Sequence, residues 1–291
     1  MAGGPSQLDT FDPKRNHANG GQFKPIATAV PVIQICETLP RLATRLKELV
    51  LVRSLQTREA DHGRGMFLMH TGRLPGGPAQ YPSLGAFLSR KLAEEDADLP
   101  SYVAIAPPNQ LLSPTALSAG FLGPRHAPLV LGENVSLTGA RPGDNGDYER
   151  ALRLPDLDPV AALSAQQREE RWRLLAEQTG EFSRQRPDSV VASLQEAYQR
   201  AVRLMRSRVA GAFALDEEKP ALREAYGRNL FGQGCLLARR LIERGVAFVE
   251  VTLNQAPGVP GGLGWDTHQN NFPRVRSAVS GAGRGLEHTS G

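Results

Sequence analysis

Three times along this chain a stretch with helical spacing leads into a short, unbroken apolar run, and that alternation is what most narrows the choice of fold. Leu39, Leu42 and Leu46 fall at helical spacing, with Pro40 in the first turn, and Leu49-Val50-Leu51-Val52 follows. From Pro82-Ser83 onward, Leu84, Phe87, Leu88, Lys91 and Leu92 form an amphipathic stripe ahead of Tyr102–Ala106. The third unit is the clearest. A helix over Tyr226–Arg244 has Tyr226, Leu230, Gly234, Leu237 and Leu241 on one face, Gly245 at the left-handed stop, and the run Val246–Leu253 beyond it. Apolar runs without polar alternation are strands buried on both faces. The expected fold is therefore α/β, a mainly parallel sheet covered by helices.

Between the second and third units the character changes. Residues 107–160 are rich in Pro, Gly and Asp and read as long surface loops. Residues 161–210 read as helices dense in Arg, Glu and Gln, with Trp172, Leu174, Leu175, Leu194, Tyr198, Val202 and Leu204 as packing positions. Together they form a helical insertion spanning about 107–215, or a separate interaction module. The tail Ser277–Gly291 is Gly, Ser and Ala with little apolar content, and disorder is expected there.

Hydrophobic residues make up 40% of the 291, enough for a real core. The 34 basic residues, mostly Arg, are interspersed with 30 acidic ones, so the net charge of +4 describes a solvated surface and gives no reason to expect nucleic acid. No apolar run approaches the roughly 18 residues of a membrane span. Cys36 and Cys235 stand far apart in apolar surroundings, without metal-type spacing, and are expected as buried free thiols.

Three segments carry residues able to do chemistry. In Gly3-Gly4-Pro5-Ser6-Gln7-Leu8-Asp9-Thr10-Phe11-Asp12, Asp9 and Asp12 offer hard oxygen ligands, although the segment alone reads as a turn whose Asp side chains cap local backbone. Asp61-His62-Gly63-Arg64 opens a helix closed by Gly72. His62 sits near its N-terminus, where free amides and the dipole attract anions, and Arg64 can pair with an oxyanion. His70 reads as a packed, structural histidine. In Trp265-Asp266-Thr267-His268, a carboxylate and an imidazole two residues apart can face one cation, a pattern that also arises by chance in loops.

Taken in order, Gly3–Asp12, His62 through Met69-His70-Thr71-Gly72, Tyr226-Gly227 with Phe231–Arg240, and Gly264-Trp265-Asp266-Thr267-His268 resemble the bacterial family of domain of unknown function 1501 (DUF1501), from Gly3 to about Arg276. That family is similar to the alkaline phosphatase/sulfatase superfamily, whose members have an α/β sheet and usually a metal-assisted hydrolytic centre. The resemblance implies a phosphate or sulfate ester hydrolase. Asp9, Asp12, Asp266 and His268 would hold a divalent cation, zinc or calcium. His62 would stand where the superfamily nucleophile stands, a departure, since it is neither a hydroxyl nor a formylglycine precursor, and Arg64 would steady developing anionic charge. The implied substrate is an anionic small-molecule or polysaccharide ester. The competing expectation is a non-catalytic protein that binds an anionic polysaccharide or a partner.

Family members usually begin with a twin-arginine export signal and a first strand, and they continue into a Glu-Phe-Gly-Arg segment and an Asp-His pair. None of these is in the 291 residues. The expectation is a domain over residues 1–276, incomplete at both ends and lacking part of the site, with an inactive fragment as a further alternative. By kinship the protein is exported or periplasmic; a genuine start at Met1 would make it cytoplasmic.

Overall fold

The computed structural model describes residues 3–94, 97–107, 115–132, 146–154, 163–185, 189–206, 208–253 and 265–282. Strands β1 (Pro25–Ala27) and β2 (Gln34–Cys36) pair antiparallel. Helices α1 (Pro40–Thr44), α2 (His62–Thr71) and α3 (Leu84–Leu92) lead to β3 (Tyr102–Ile105) and β4 (Leu129–Leu131). Next come α4 (Gly146–Leu152), α5 (Ala165–Gln185), α6 (Ser189–Arg206), α7 (Pro220–Tyr226), α8 (Leu230–Glu243), β5 (Phe248–Val251) and α9 (Asn271–Ala282). The described residues thus mix helix and sheet, with a three-stranded parallel sheet in the order β4-β3-β5.

β3 is buried along its whole length, and strand periodicity sends its side chains alternately to two faces. On one face α8 seats against Ile105 and Val251. A Cβ on Gly234 would stand 3.1 Å from Ile105 Cγ2 and 3.2 Å from Val251 Cγ1, so this glycine sets how closely helix and sheet approach. On the other face α3 lies over Tyr102, and a Cβ on Gly85 would collide with the ring. The expected apolar face is buried, at Tyr226 on α7 and at Leu230, Leu237 and Leu241 on α8. Gly245 takes the left-handed conformation at φ +92°.

Several expectations are corrected. Leu49–Val52 is not a strand. It finds no strand partner among the described residues and leaves Val50 92% exposed. Continuous apolarity allowed a strand there, but a ladder requires a neighbour. The apolar stripe of α3 faces outward at Leu84, Phe87 and Leu92, because Gly85, Ala86 and Ser89 are the residues small enough to sit on the sheet. Tyr226–Arg244 is broken. Gly227 at φ +91° ends α7, and Asn229 caps α8 by accepting from the Gly232 amide at 2.9 Å.

Within the supposed loops 107–160 lie β4 and α4. β4 escaped notice because it has three residues between Pro128 and Gly132. The helices of 161–210 are present as α5 and α6, yet Leu174, Leu175 and Tyr198 are exposed while Leu204 is buried. The side chain of Leu194 lies outside the described residues. α9 carries helix through Ala282, past the Ser277 at which composition sets the tail, because Val275, Ala278 and Val279 bury one face. Residues 283–291 lie outside the described residues.

Candidate functional site

Asp61 caps α2: its carboxylate accepts from the Arg64 amide at 2.9 Å, and its carbonyl accepts from Gly65. The amides of His62 and Gly63 therefore remain outside the helical ladder at the positive end of the helix dipole. From this position His62 Nε2 lies 3.1 Å from Asp266 Oδ2, across 204 residues of sequence. His268 Nε2 lies 2.8 Å from the same oxygen. One carboxylate oxygen thus serves two imidazoles, with side-chain exposures of 40% for His62, 19% for Asp266 and 78% for His268.

The loop that presents this pair is held under backbone strain. His268 and Asn270, neither of them glycine, have φ of +41° and +54°. Thr267 donates to Asn271 Oδ1 at 2.8 Å, and Asn271 donates in turn to Asp9 Oδ2 at 2.9 Å. Asp9, 5% exposed, is thereby tied to the 265–271 loop through one amide. Trp265, next to Asp266, buries an indole N–H with no hydrogen-bond partner among the described residues.

Of the residues singled out in the sequence, the fold brings His62, Asp266 and His268 into direct contact and joins Asp9 to them at one remove. Asp12 is engaged elsewhere, 2.8 Å from Lys14 and 3.6 Å from Arg53. Arg64 is turned to both oxygens of Glu59, at 2.9 and 3.0 Å, and that partner's hydrogen bond and charge hold its pKa above the ordinary value. The donors are of the right chemical kind for zinc. Among the described residues, however, no three His, Cys, Asp or Glu side chains form a group that could hold a metal ion. The three that meet here converge on each other's hydrogen bonds rather than around a central point.

A second polar group went unforeseen. Glu250 lies on β5 opposite Ala104, on the same sheet face as Tyr102. Its Oε1 is 2.8 Å from His70 Nε2, and its Oε2 accepts from the Tyr102 hydroxyl at 3.1 Å. His70 Nδ1 is 2.8 Å from the Met66 carbonyl oxygen, so both ring nitrogens face acceptors. Burial pulls the His70 pKa down, but the bond and charge of Glu250 and the Met66 carbonyl outweigh it, and the net shift is upward. For Glu250 burial pushes upward, and the bonds and charge of His70 with the Tyr102 hydroxyl bring the net shift below the usual value. His70 is thus structural, as expected. The missed signal was a lone Glu within the apolar run Val246–Leu253.

Fold and cluster together describe a protein of mixed helix and sheet, with a small parallel sheet and a His–Asp–His group joining a helix N-terminus to a strained loop. Over residues 1–288 the chain matches the family described as Protein of unknown function (DUF1501), and it belongs to that family. No curated protein and no solved structure matches it significantly.

Proposed function

We propose that the protein hydrolyses phosphate or sulfate esters at the His62–Asp266–His268 cluster. The observation that carries this reading is the shared oxygen, Asp266 Oδ2, within hydrogen-bond reach of both rings. The free amides at the start of α2 and the strained turn at 268–270 support it, as does the resemblance to the alkaline phosphatase/sulfatase superfamily. That kinship also carries the expectation of a divalent cation. The described donors do not frame one.

With Nε2–H donated to Asp266, the His62 imidazole is fixed in one tautomer and its Nδ1 lone pair is left for the reaction. Nδ1 takes a proton from water as the water oxygen attacks phosphorus or sulfur. The ester P–O or S–O bond breaks, and the leaving alkoxide is protonated by solvent or by His268 in its imidazolium form, which then regains its proton from solvent. Asp266 stabilises the imidazolium that forms, and the His62 and Gly63 amides donate to the non-bridging oxygens as their negative charge grows.

The pairing of Arg64 with Glu59 favours a second reading, an anion-binding site without turnover, since the guanidinium expected to steady a transition state is already engaged. Assays with aryl phosphates and aryl sulfates decide between them. Turnover that falls by about 100-fold or more in His62→Ala, and also falls in Asp266→Asn, supports hydrolysis. Undiminished turnover in His62→Ala overturns the role of His62. Binding of inorganic sulfate by the wild type, without turnover, selects the second reading.

A further inference from the structure

Helix α2 carries His62 at its first position and His70 near its end, about 12 Å apart along the axis. Little else fastens it. Segments 53–60 and 72–80 on either side are exposed nearly throughout and form no helix or strand. α2 packs on α3, but among the described residues it adds no side chain to the main apolar cluster. Phe67 is its one buried residue. Apolar contact of that kind is non-directional, so it keeps a helix close without fixing its tilt or rotation.

Orientation is set by directional bonds, and among the described residues two side-chain hydrogen bonds leave α2 for a distant element. One joins His62 to Asp266, an exposed ring to a loop residue. The other joins the half-buried His70 to Glu250 at 2.8 Å. Glu250 stands on β5, paired to β3, and its second oxygen accepts from the Tyr102 hydroxyl, so the sheet itself holds this partner still. A half-buried, charge-assisted bond to a fixed acceptor outweighs an exposed one to a loop.

We propose that His70 and Glu250 position His62: their bond fixes α2 against β5 and so keeps the His62 ring at Asp266. With the His70 end released, the helix tilts about Phe67 and its first turn swings, because both ends of a rigid rod move together. Neither residue touches a substrate bound at His62; both act through the helix. The consequence for chemistry rests on the hydrolase reading, whereas the placement of His62 does not.

The test is the His62 ring signal in proton NMR of the full chain near neutral pH, assigned by its loss in His62→Asn. Asp266→Ala marks where the signal lies once the ring has lost its partner. Glu250→Ala and, from the helix side, His70→Asn are expected to move it most of the way to that mark. Glu250→Gln, which keeps an oxygen for Nε2–H, is expected to move it less. Gly232→Ala, which crowds the backbone where α7 meets α8, controls for a merely destabilised fold and is expected to leave it in place. A signal unmoved in both Glu250→Ala and His70→Asn, or moved as far by Gly232→Ala, overturns the proposal, as does an Asp266→Ala signal that coincides with the wild type. Turnover separates this from the hydrolase reading. If aryl phosphate or aryl sulfate is hydrolysed, kcat in Glu250→Ala is expected to fall about tenfold or more. If neither is hydrolysed, the hydrolase reading fails and the NMR result alone decides the positioning role.

Discussion

At the scale of single residues, the His70–Glu250–Tyr102 group couples stability to pH in a defined direction. His70 is raised from 6.5, so its contribution is complete below that value and disappears as pH rises through the folded pKa. Glu250 is lowered from 4.5, so its contribution is complete above that value and disappears as pH falls through the folded pKa. Both are present between about 4.5 and 6.5. Glu250→Gln should therefore cost on the order of 2 kcal/mol near pH 5.5 and distinctly less near pH 9, read from denaturation midpoints of both proteins. An equal loss at the two pH values would contradict the ion pair. The cysteines make a second case. Cys36 is fully buried, and burial pushes the Cys235 thiol up to about 12. Neither should react with an aromatic disulfide reagent until the protein unfolds, and one rapidly titrating thiol in native buffer would refute this.

For secondary-structure elements, the join of α7 and α8 depends on a close backbone crossing. A Cβ on Gly232 would stand 2.6 Å from the Gly227 carbonyl oxygen and nearer still to that of Tyr226. Backbone cannot move aside as a flexible side chain can, so Gly232→Ala should destabilise the fold by about 1–3 kcal/mol in urea denaturation. Gly180, with open space around it on α5, is the control, because alanine there should be neutral or stabilising. Gln233, fully buried, locks the same corner. It accepts from Arg223 Nε and donates to the carbonyl oxygens of Arg223 and Gly227, each at 2.9 Å.

Across the whole molecule, Arg240 joins the region preceding α7 to the main core. Its guanidinium reaches Glu217 at 2.7 Å, Glu218 at 2.5 Å, and the carbonyl oxygens of Ala212 and Gly211, while the residue is only 3% exposed. Removing it strands the Glu218 carboxylate and two carbonyls, while Glu217 remains in contact with water. Arg240→Ala should cost about 3–5 kcal/mol in thermal unfolding, and Arg240→Lys should recover part of that, because a point charge cannot satisfy a forked site. A loss under 1 kcal/mol would show that the 208–218 segment is held by its apolar contacts alone. Among the described residues no helix is long and apolar enough to cross a membrane.

Much of the frame was legible before any coordinates, for local reasons. β3, β5 and α8 announce themselves by continuous apolarity or one-sided spacing, and Gly72, Ser83 and Gly245 mark helix ends through backbone constraints that act within a few residues. What could not be read is what depends on neighbours. Leu49–Val52 has strand composition but no strand to pair with among the described residues, and the outward turn of Leu84 and Phe87 follows from the bulk of Tyr102 beneath α3. For the candidate site, sequence identified residue types at His62, Asp266 and His268. Only the tertiary fold, spanning 204 residues, could bring the rings to one carboxylate oxygen, send Arg64 to Glu59, and set Glu250 against His70. Chemical identity and local conformation are encoded within a few residues, whereas distance between remote side chains exists only after the chain has packed.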